Sequence, residues 1–372
     1  MYMTDKWEGN EYFPINNFKF LEFYVSNAKQ VVHFYRSTFG FTPYAYCGPE
    51  TGVFTHVSYV LKNEKIFFVF TTPLKSSHDA SEWIKKHGDG VRDIAFSVDD
   101  VNFCYKSCIE RGGIKNQSPK QYEDENGVFS IASIKTYGDT IHSFVDDSKY
   151  KGLWAPNYIK LNLPELSFKN TNLILVDHVV GNVDWDKMDY WREYYEKVFG
   201  FSTFVRFDEG DISTQYSALK SIVLRSKNWK IKLPINEPAE GLKKSQIEEY
   251  LEFNEGAGVQ HIAILTDDII KSIASLRNNG VEFLDIPETY YDDLSDRVGG
   301  IDEEIKRLKE LNILVDRDEY GYLLQIFTKP LQDRPTLFIE IIQRKGSKGF
   351  GQGNFQALFE SIEKAQEERG NF

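Results

Sequence analysis

The hydrophobic pattern of the chain occurs twice. Residues 90–101 read GVRDIAFSVDDV and residues 258–269 read GVQHIAILTDDI, so apolar and polar positions recur in the same order. A short apolar run that ends at an Asp-Asp pair predicts a buried strand followed by a helix, which we place at residues 99–111 in the first half. We therefore expect both halves of the chain to have the same fold.

Further matched segments extend this repeat. Residues 34–41 and 194–201 each predict the end of an amphipathic helix that stops at a glycine. Segments 140–144 and 336–340 also correspond to each other. Apolar strands are predicted before these helices and hairpin strands after them, at residues 18–25 and 172–183, then 53–61 with 65–71 around a turn at 62–64, and 216–225 with 230–234.

The repeat predicts an α+β chain of two domains, each built from a strand, a helix and several further strands. We place the first domain at residues 1–155 and the second at residues 165–372, with a linker within 151–164. The second half has two additional predicted helices, a charged one at 301–311 and a tail helix at 353–368. The glycines of segment 349–353 predict a flexible hinge before the tail helix.

The repeat also isolates three positions at which only the second half has a residue suited to bind a metal. These positions are His178 against Phe20, His261 against Asp93, and Glu340 against Phe144. Alternation along a strand allows each of the three side chains to point to one concave sheet face. Two histidines and one carboxylate form the facial triad used for iron(II) and oxygen chemistry. The second half is therefore predicted to hold a divalent metal.

Each of these residues also has a simpler explanation. A single histidine in a strand is usually a packing or surface residue. Glu340 is more informative, because a carboxylate within the apolar run 337–342 is costly to bury unless it is paired or bound to a metal. The alternative for Glu340 is an outward-facing position on an edge strand.

Composition narrows the class of protein. Of the 372 residues, 41% are hydrophobic and 15% are aromatic, which is enough for two cores and for a pocket lined by rings. The net charge of −12 argues against nucleic acid or an anionic membrane as partner. We predict no signal sequence and no membrane span, and we expect the three cysteines to be buried thiols of a cytoplasmic protein.

Six segments of the second half resemble the 4-hydroxyphenylpyruvate dioxygenase family. They are LPINEPA at 233–239, SQI at 245–247, NEGAGVQH at 254–261, LQIFTKP at 324–330, FIE at 338–340 and GFGQGNF at 349–355. The resemblance implies the vicinal oxygen chelate fold, with two repeated βαβββ-type open barrel domains and the metal in the C-terminal barrel. It also implies one Fe(II) per chain.

The same resemblance implies roles for individual residues. It implies His178, His261 and Glu340 as the iron ligands. It implies four catalytic polar side chains, Ser221, Asn236, Gln246 and Gln260. It implies a substrate pocket formed by Pro234, Phe327, Phe338, Phe350, Asn354 and Phe355, with Phe327 and its neighbours on both sides of an aromatic substrate. The alternative for each polar residue is to support other side chains without touching the substrate.

The activity implied by the resemblance is the oxidation of 4-hydroxyphenylpyruvate by O2 to homogentisate and CO2, a step of tyrosine catabolism. Two alternatives stay open: a 4-hydroxymandelate synthase that uses the same substrate, and a non-catalytic binding protein of the same fold. We expect the small-molecule substrate and O2 as partners, and a homo-oligomer. We also expect the tail helix to act as a lid, the alternative being a permanently docked helix.

Overall fold

A computed structural model describes residues 2–4, 6–208 and 213–371 of the chain. The first half forms one curled sheet with helices against it. Its elements, after the short N-terminal strand β1 (Tyr2–Met3), are β2 (Asn17–Tyr24), α1 (Ala28–Phe39), β3 (Thr42–Cys47), β4 (His56–Asn63), β5 (Ile66–Pro73), α2 (Asp79–His87), β6 (Gly90–Ser97), α3 (Val101–Glu110), β7 (Ile114–Asp124), β8 (Gly127–Lys135), β9 (Ile141–Asp146) and β10 (Ile159–Lys160).

The second half forms a second curled sheet. Its elements are β11 (Leu173–Asn182), α4 (Met188–Phe199), β12 (Ser202–Phe207), β13 (Ala218–Arg225), β14 (Lys232–Ala239), α5 (Gln246–Phe253), β15 (Gly258–Thr266), α6 (Ile269–Asn278), α7 (Leu294–Val298), α8 (Ile305–Leu311), β16 (Leu314–Asp318), β17 (Gly321–Phe327), β18 (Phe338–Lys345) and α9 (Phe355–Glu368).

Corresponding strands follow one another in the same order in both sheets. It is β10-β3-β4-β5-β2-β6-β9-β8-β7 in the first and β1-β12-β13-β14-β11-β15-β18-β17-β16 in the second. The first sheet contains the succession of one strand, one helix and three strands twice, as β2-α1-β3-β4-β5 and β6-α3-β7-β8-β9. The second sheet repeats this succession, with α7 and α8 added between α6 and β16. The predicted α+β class with two repeated βαβββ-type barrels is confirmed, and each barrel consists of two such modules.

The repeat extends to helix ends and to core packing. Gly40 ends α1 and Gly200 ends α4, with φ values of 72° and 75° in the left-handed region that favours glycine. A tyrosine and a phenylalanine four residues apart on each helix stack with ring centroids 5.4 Å apart, Tyr35 with Phe39 and Tyr195 with Phe199. Matching sequence positions therefore bury matching rings.

Strand register corrects one pairing of the repeat. The ladder position that Phe144 occupies in the first sheet belongs to Ile341 in the second. Glu340 therefore corresponds to Ser143, and its alignment with Phe144 was wrong by one residue. Aligning two apolar runs does not determine the register, and a shift of one residue moves a side chain to the opposite face of the sheet.

Several element boundaries differ from the predicted ones. The charged helix begins at Ile305 and not at residue 301, and α3 spans Val101–Glu110 within the predicted 99–111. The tail helix α9 follows a short 3-10 turn at Gln352–Asn354. The predicted linker contains β10, which pairs with β3 at the edge of the first sheet, while β1 pairs with β12 at the corresponding edge of the second.

A glycine allows the two halves to approach closely. The ring of Tyr137, which follows β8, lies against Gly181 on β11, where a Cβ atom would be 2.4 Å from the Tyr137 Cζ. Tyr137 is only 1% exposed, so its ring has no free space to move into. A glycine within a strand often marks such an approach. The first half thus packs directly on the strand that carries His178.

Two sequence-based expectations concern the whole chain. Cys47, Cys104 and Cys108 are buried and free, as predicted. Within the described residues, no helix has the length and apolar character needed to cross a membrane.

Candidate metal centre and substrate cavity

The three predicted metal ligands lie on neighbouring strands of the second sheet. His178 is on β11, His261 on β15 and Glu340 on β18, and these strands are adjacent. Ala263 on β15 lies opposite both His178 and Glu340. Since residues directly opposite one another share a face, this small side chain leaves room between the two ligands. Sheet pairing therefore brings together residues far apart in sequence.

The three side chains form a compact set of donor atoms. Their ligand atoms all lie within 4.8 Å of one another. Glu340 Oε2 is 3.2 Å from His178 Nε2 and 3.3 Å from His261 Nε2. Two imidazole nitrogens and a carboxylate that meet in this way match the donor set of a facial triad.

Hydrogen bonds at the far side of each imidazole determine its orientation. His178 Nδ1 lies 2.8 Å from Asp177 Oδ2, and His261 Nδ1 lies 3.0 Å from Gln260 Oε1. Both partner atoms are acceptors, so each ring donates from Nδ1. The lone pair of each Nε2 is then directed at the point where the ligands meet.

Burial and charge determine the protonation of the three ligands. Burial raises the pKa of Glu340, but the two histidines outweigh it and lower the pKa to about 2. The carboxylate is therefore ionised at neutral pH. Burial also lowers the pKa of His178, but Glu340 and Asp177 bring it above its usual value. For His261, burial prevails and the pKa is lowered. The two histidines differ because Asp177 also raises the pKa of His178, whereas the charge of His178 lowers the pKa of His261.

A cavity that opens to solvent adjoins the ligands. Its wall contains the three ligands and nine of the ten other predicted site residues, which are Ser221, Pro234, Asn236, Gln246, Gln260, Phe327, Phe338, Phe350 and Phe355.

Asn354 is the predicted site residue that the structure places away from the cavity wall. It is fully buried, and its Oδ1 accepts a hydrogen bond of 2.7 Å from the hydroxyl of Tyr290. It precedes the first residue of α9. Asn354 thus supports the start of the tail helix from behind the wall.

Aromatic rings form one side of the cavity. Phe338 stacks on His261 with centroids 4.7 Å apart, and Phe350 meets His178 at 5.0 Å with its plane steeply inclined. Phe327 and Phe338 lie 6.1 Å apart at 76°, so they form a corner and not two parallel plates.

Polar side chains form another side of the cavity. Ser221 and Asn236 lie opposite one another on β13 and β14. Asn236 Nδ2 is 3.5 Å from Gln260 Oε1, and Gln260 Nε2 is 3.5 Å from Gln246 Oε1. Contacts of this length are weak hydrogen bonds. The amide groups are therefore able to exchange them for stronger bonds to a ligand.

Comparisons with known proteins agree with this geometry. Residues 176–326 match the model of the Glyoxalase/Bleomycin resistance protein/Dioxygenase superfamily. The chain is 47% identical to 4-hydroxyphenylpyruvate dioxygenase from Danio rerio, over 99% of this chain and 95% of that protein. It is 46% identical to the protein of the same name from Aspergillus fumigatus, over 94% of this chain and 93% of that protein. The chain belongs to the 4-hydroxyphenylpyruvate dioxygenase family.

Membership of the 4-hydroxyphenylpyruvate dioxygenase family makes the chain an oxygenase. A solved structure of a 4-hydroxymandelate synthase mutant from Streptomyces coelicolor has the same fold, with a TM-score of 0.85 over 95% of this chain and 99% of that chain. Its sequence identity is 32%, which is lower than that of the dioxygenases.

In this member of the dioxygenase family, the first sheet is filled by its own chain. Val60 and Val69 occupy the ladder positions that line the cavity in the second sheet. Trp154 and Tyr158, from the segment predicted as a linker, pack against the cluster that contains these valines, as does Phe20. The segment therefore lies where the second half has its cavity.

Two features of this dioxygenase site were not predicted. Alternation along a strand places neighbouring side chains on opposite faces, but a bulge after Val176 brings Asp177 beside His178. Leu358 and Phe359 of α9 also line the cavity. Only Phe355 of this helix was predicted to line the pocket, although the helical spacing of Leu358 and Phe359 was visible in the sequence.

Proposed function

We propose that this chain converts 4-hydroxyphenylpyruvate and O2 to homogentisate and CO2, using one Fe(II) per chain. The main support is the triad of His178, His261 and Glu340 at the wall of a cavity that has aromatic rings on one side and amide groups on another. Such a cavity suits an aromatic substrate that carries a hydroxyl group and an α-keto acid. The named relatives at 46% and 47% identity support the same reaction.

The donor set fits iron(II). Structural zinc sites are closed by four protein ligands, whereas His178, His261 and Glu340 leave several positions open. When bound, Fe(II) supplies electrons and open coordination positions for the keto acid and for O2. The chain holds both imidazoles with their Nε2 atoms toward the site and keeps the carboxylate ionised.

The apolar wall binds the aromatic part of the substrate and excludes water. We assign this role to Pro234, Phe327, Phe338, Phe350 and Phe355, which all line the cavity. An offset or edge contact with an aromatic ring adds about 0.5–1.5 kcal/mol beyond the area that it buries. Exclusion of water also strengthens every polar contact in the site.

The polar wall orients the substrate. We assign the binding of the phenol hydroxyl and the keto acid to Ser221, Asn236, Gln246 and Gln260, whose mutual contacts are long. A substrate without the hydroxyl group leaves buried amide groups unpaired, at a cost of about 1–3 kcal/mol for each group. These residues therefore favour a hydroxylated ring.

We infer that α9 acts as a lid on the cavity. Phe355, Leu358 and Phe359 of this helix line the cavity. The far end of the helix is held by Arg369, whose Nη2 donates to Glu249 Oε2 at 2.7 Å. Gly351 before the helix has a φ of 79°, in the left-handed region that favours glycine.

The lid predicts that a ligand protects the tail from proteolysis. With Fe(II) and a non-reactive keto-acid analogue bound, cleavage after residue 345 is expected to slow relative to the metal-free protein, because the closed helix removes the hinge from the protease. Mass spectrometry of limited digests measures this. Equal cleavage rates with and without the ligand indicate a permanently docked helix.

The proposed function extends to the roles of the two domains, the oligomeric state and the cellular location. We propose that residues 165–372 form the catalytic domain, that residues 1–155 support it, and that the chain forms a homo-oligomer in the cytoplasm. The filled concave face of the first sheet supports the division of roles. The net charge of −12 supports a small-molecule partner over nucleic acid or an anionic membrane.

The identity of the product tests the proposed reaction. Protein loaded anaerobically with Fe(II) is given 4-hydroxyphenylpyruvate and O2, and we expect homogentisate and CO2 in equal amounts. Because 4-hydroxymandelate is an isomer of homogentisate, proton NMR and not mass must distinguish them, by a methylene signal for homogentisate and a methine signal for 4-hydroxymandelate. Formation of 4-hydroxymandelate identifies a synthase, and absence of O2 uptake with iron present identifies a binding protein.

A further inference from the structure

The carboxylate of Asp177 lies at a bulge directly beside a metal ligand. In β11, Val176 lies opposite Ile264 and His178 lies opposite Ala263, so that Asp177 is the extra residue of a β-bulge. A bulge re-aims side chains relative to a regular strand. Here it brings Oδ2 of Asp177 to 2.8 Å from His178 Nδ1.

Four donors occupy the two oxygens of Asp177. Oδ1 accepts from Lys232 Nζ at 2.8 Å and from Arg344 Nε at 3.0 Å. Oδ2 accepts from Arg344 Nη2 at 2.9 Å and from His178 Nδ1. Asp177 is 4% exposed, so water does not compete for these bonds. The two cations prevent the carboxylate from rotating away from the imidazole.

The first half has the same ion pair with its charges exchanged. β2 has a bulge at the equivalent position, where Lys19 is the extra residue and forms an ion pair with Asp147. By strand register, Lys19 and Asp147 occupy the positions of Asp177 and Arg344. The residue after the bulge in that half is Phe20, which needs no acceptor. Both halves therefore have an ion pair at the bulge. The carboxylate is the bulge residue only in the second half, where the next residue is His178.

Arg344 connects this cluster to the segment before α9. Its Nη1 donates to the carbonyl oxygen of Gly349 at 2.7 Å, and its guanidinium lies 5.4 Å from the ring of Phe350. The Phe350 ring in turn lies 5.0 Å from the ring of His178. The same cation therefore orients a metal ligand and a residue of the cavity wall.

We propose that Asp177 is a positioning residue of the metal site, which holds the proton of His178 on Nδ1 so that Nε2 faces the metal, with Lys232 and Arg344 keeping the carboxylate in place. The inference rests on the proposed function, because it takes His178 as a metal ligand. It adds a requirement that lies outside the triad: the acceptor at the bulge must be an anion held by two cations.

The exchange Asp177→Asn tests this requirement. Asparagine has a single acceptor atom, and if that atom stays with the two cations, the amide nitrogen faces Nδ1 and favours protonation of Nε2. We expect Co(II), an air-stable stand-in for Fe(II), to bind about 10–100-fold more weakly. In the metal-free protein, nitrogen NMR of labelled histidine is expected to show a proton on His178 Nδ1 in the wild type and none on Nδ1 in the variant. This second readout does not depend on catalysis.

A matched control and a second variant complete the experiment. Asp93→Asn makes the same exchange at a buried carboxylate of the first half and is expected to leave Co(II) affinity unchanged. By strand register, Phe67 of the first sheet occupies the position of Lys232. The triple variant Asp177→Lys, Lys232→Phe and Arg344→Asp therefore copies Lys19, Phe67 and Asp147, so it keeps an ion pair at the bulge but removes the acceptor. We expect the triple variant to fold and to lose Co(II) affinity. It therefore tests the positioning role of Asp177 even if Asp177→Asn does not fold.

The outcomes separate this inference from the proposed function. If the wild type binds Co(II) and forms homogentisate, and a folded Asp177→Asn or triple variant binds Co(II) as tightly with His178 still protonated on Nδ1, the positioning role is overturned. If the wild type itself binds no divalent metal and forms no homogentisate, the proposed function fails, and the inference fails with it.

Discussion

Glu340→Ala is expected to abolish metal retention and turnover together. Glu340 supplies the anionic ligand, and its Oε2 lies 3.2 Å and 3.3 Å from the Nε2 atoms of the two histidines. Loss of an outer-shell partner weakens a metal site by about 10–100-fold, so loss of a ligand is expected to exceed that range. Metal content after anaerobic loading and desalting, together with O2 uptake, measures both effects.

Two control variants accompany Glu340→Ala, one at the same residue and one in the first half. Glu340→Gln keeps the shape of the side chain but not its charge, and we expect the same loss. Asp93→Ala removes a buried carboxylate from the corresponding sheet of the first half, and we expect metal content and rate to be retained. His178→Ala and His261→Ala are expected to behave as Glu340→Ala does. An unchanged metal content and rate in Glu340→Ala would show that it is not a ligand.

Asp93→Asn is expected to flatten the dependence of stability on pH. Burial, reinforced by Glu22, raises the pKa of Asp93 from 3.8 to about 7. Between these two values the folded state keeps a proton that the unfolded state has lost. This proton stabilises the folded state by up to about 4 kcal/mol. The stabilisation is complete below the pKa of Asp93 in the unfolded state and is lost as pH rises through its pKa in the folded state. Asparagine does not ionise, so this contribution disappears.

Denaturant unfolding between about pH 4 and pH 8 measures this difference. The substitution preserves local contacts, because asparagine can accept from the Ser143 amide and donate to the Ser143 hydroxyl, where Asp93 now accepts from both. Glu123→Gln, which removes an exposed carboxylate from the same half, serves as the control and is expected to follow the wild type. A slope in Asp93→Asn equal to that of the wild type would refute the effect.

Much of the architecture and the ligand set was accessible from the sequence because burial constrains composition. Strands and helices that pack the same core keep their apolar positions, so the repeat remained visible over both halves. A histidine or carboxylate in an apolar run, such as Glu340, is conspicuous because burying it costs free energy unless it is paired or bound to a metal. The substrate was suggested by family resemblance and not by the pattern.

The features that escaped prediction depend on register and on contacts distant in sequence. Pairing of β9 with β6 places Ser143, and not Phe144, at the position that Glu340 has in the second sheet. The hydrogen bonds between strands determine which residues lie opposite one another, and the similarity of two apolar runs does not reveal this. The bulge at Asp177 breaks the alternation on which strand-based placement relies. Trp154 fills the first sheet although its segment has the composition of a linker, since packing depends on where a segment lies in the fold.

A single turnover with isotopically labelled O2 tests the central claim most directly. Protein loaded anaerobically with one Fe(II) per chain and with 4-hydroxyphenylpyruvate is exposed to O2 enriched in the heavy isotope, and the product is analysed by mass spectrometry and NMR. The account predicts homogentisate with one labelled oxygen in the carboxylate and one in the new ring hydroxyl, and no turnover without iron or in Glu340→Ala. Full activity without iron, or no labelled product with iron present, would contradict it.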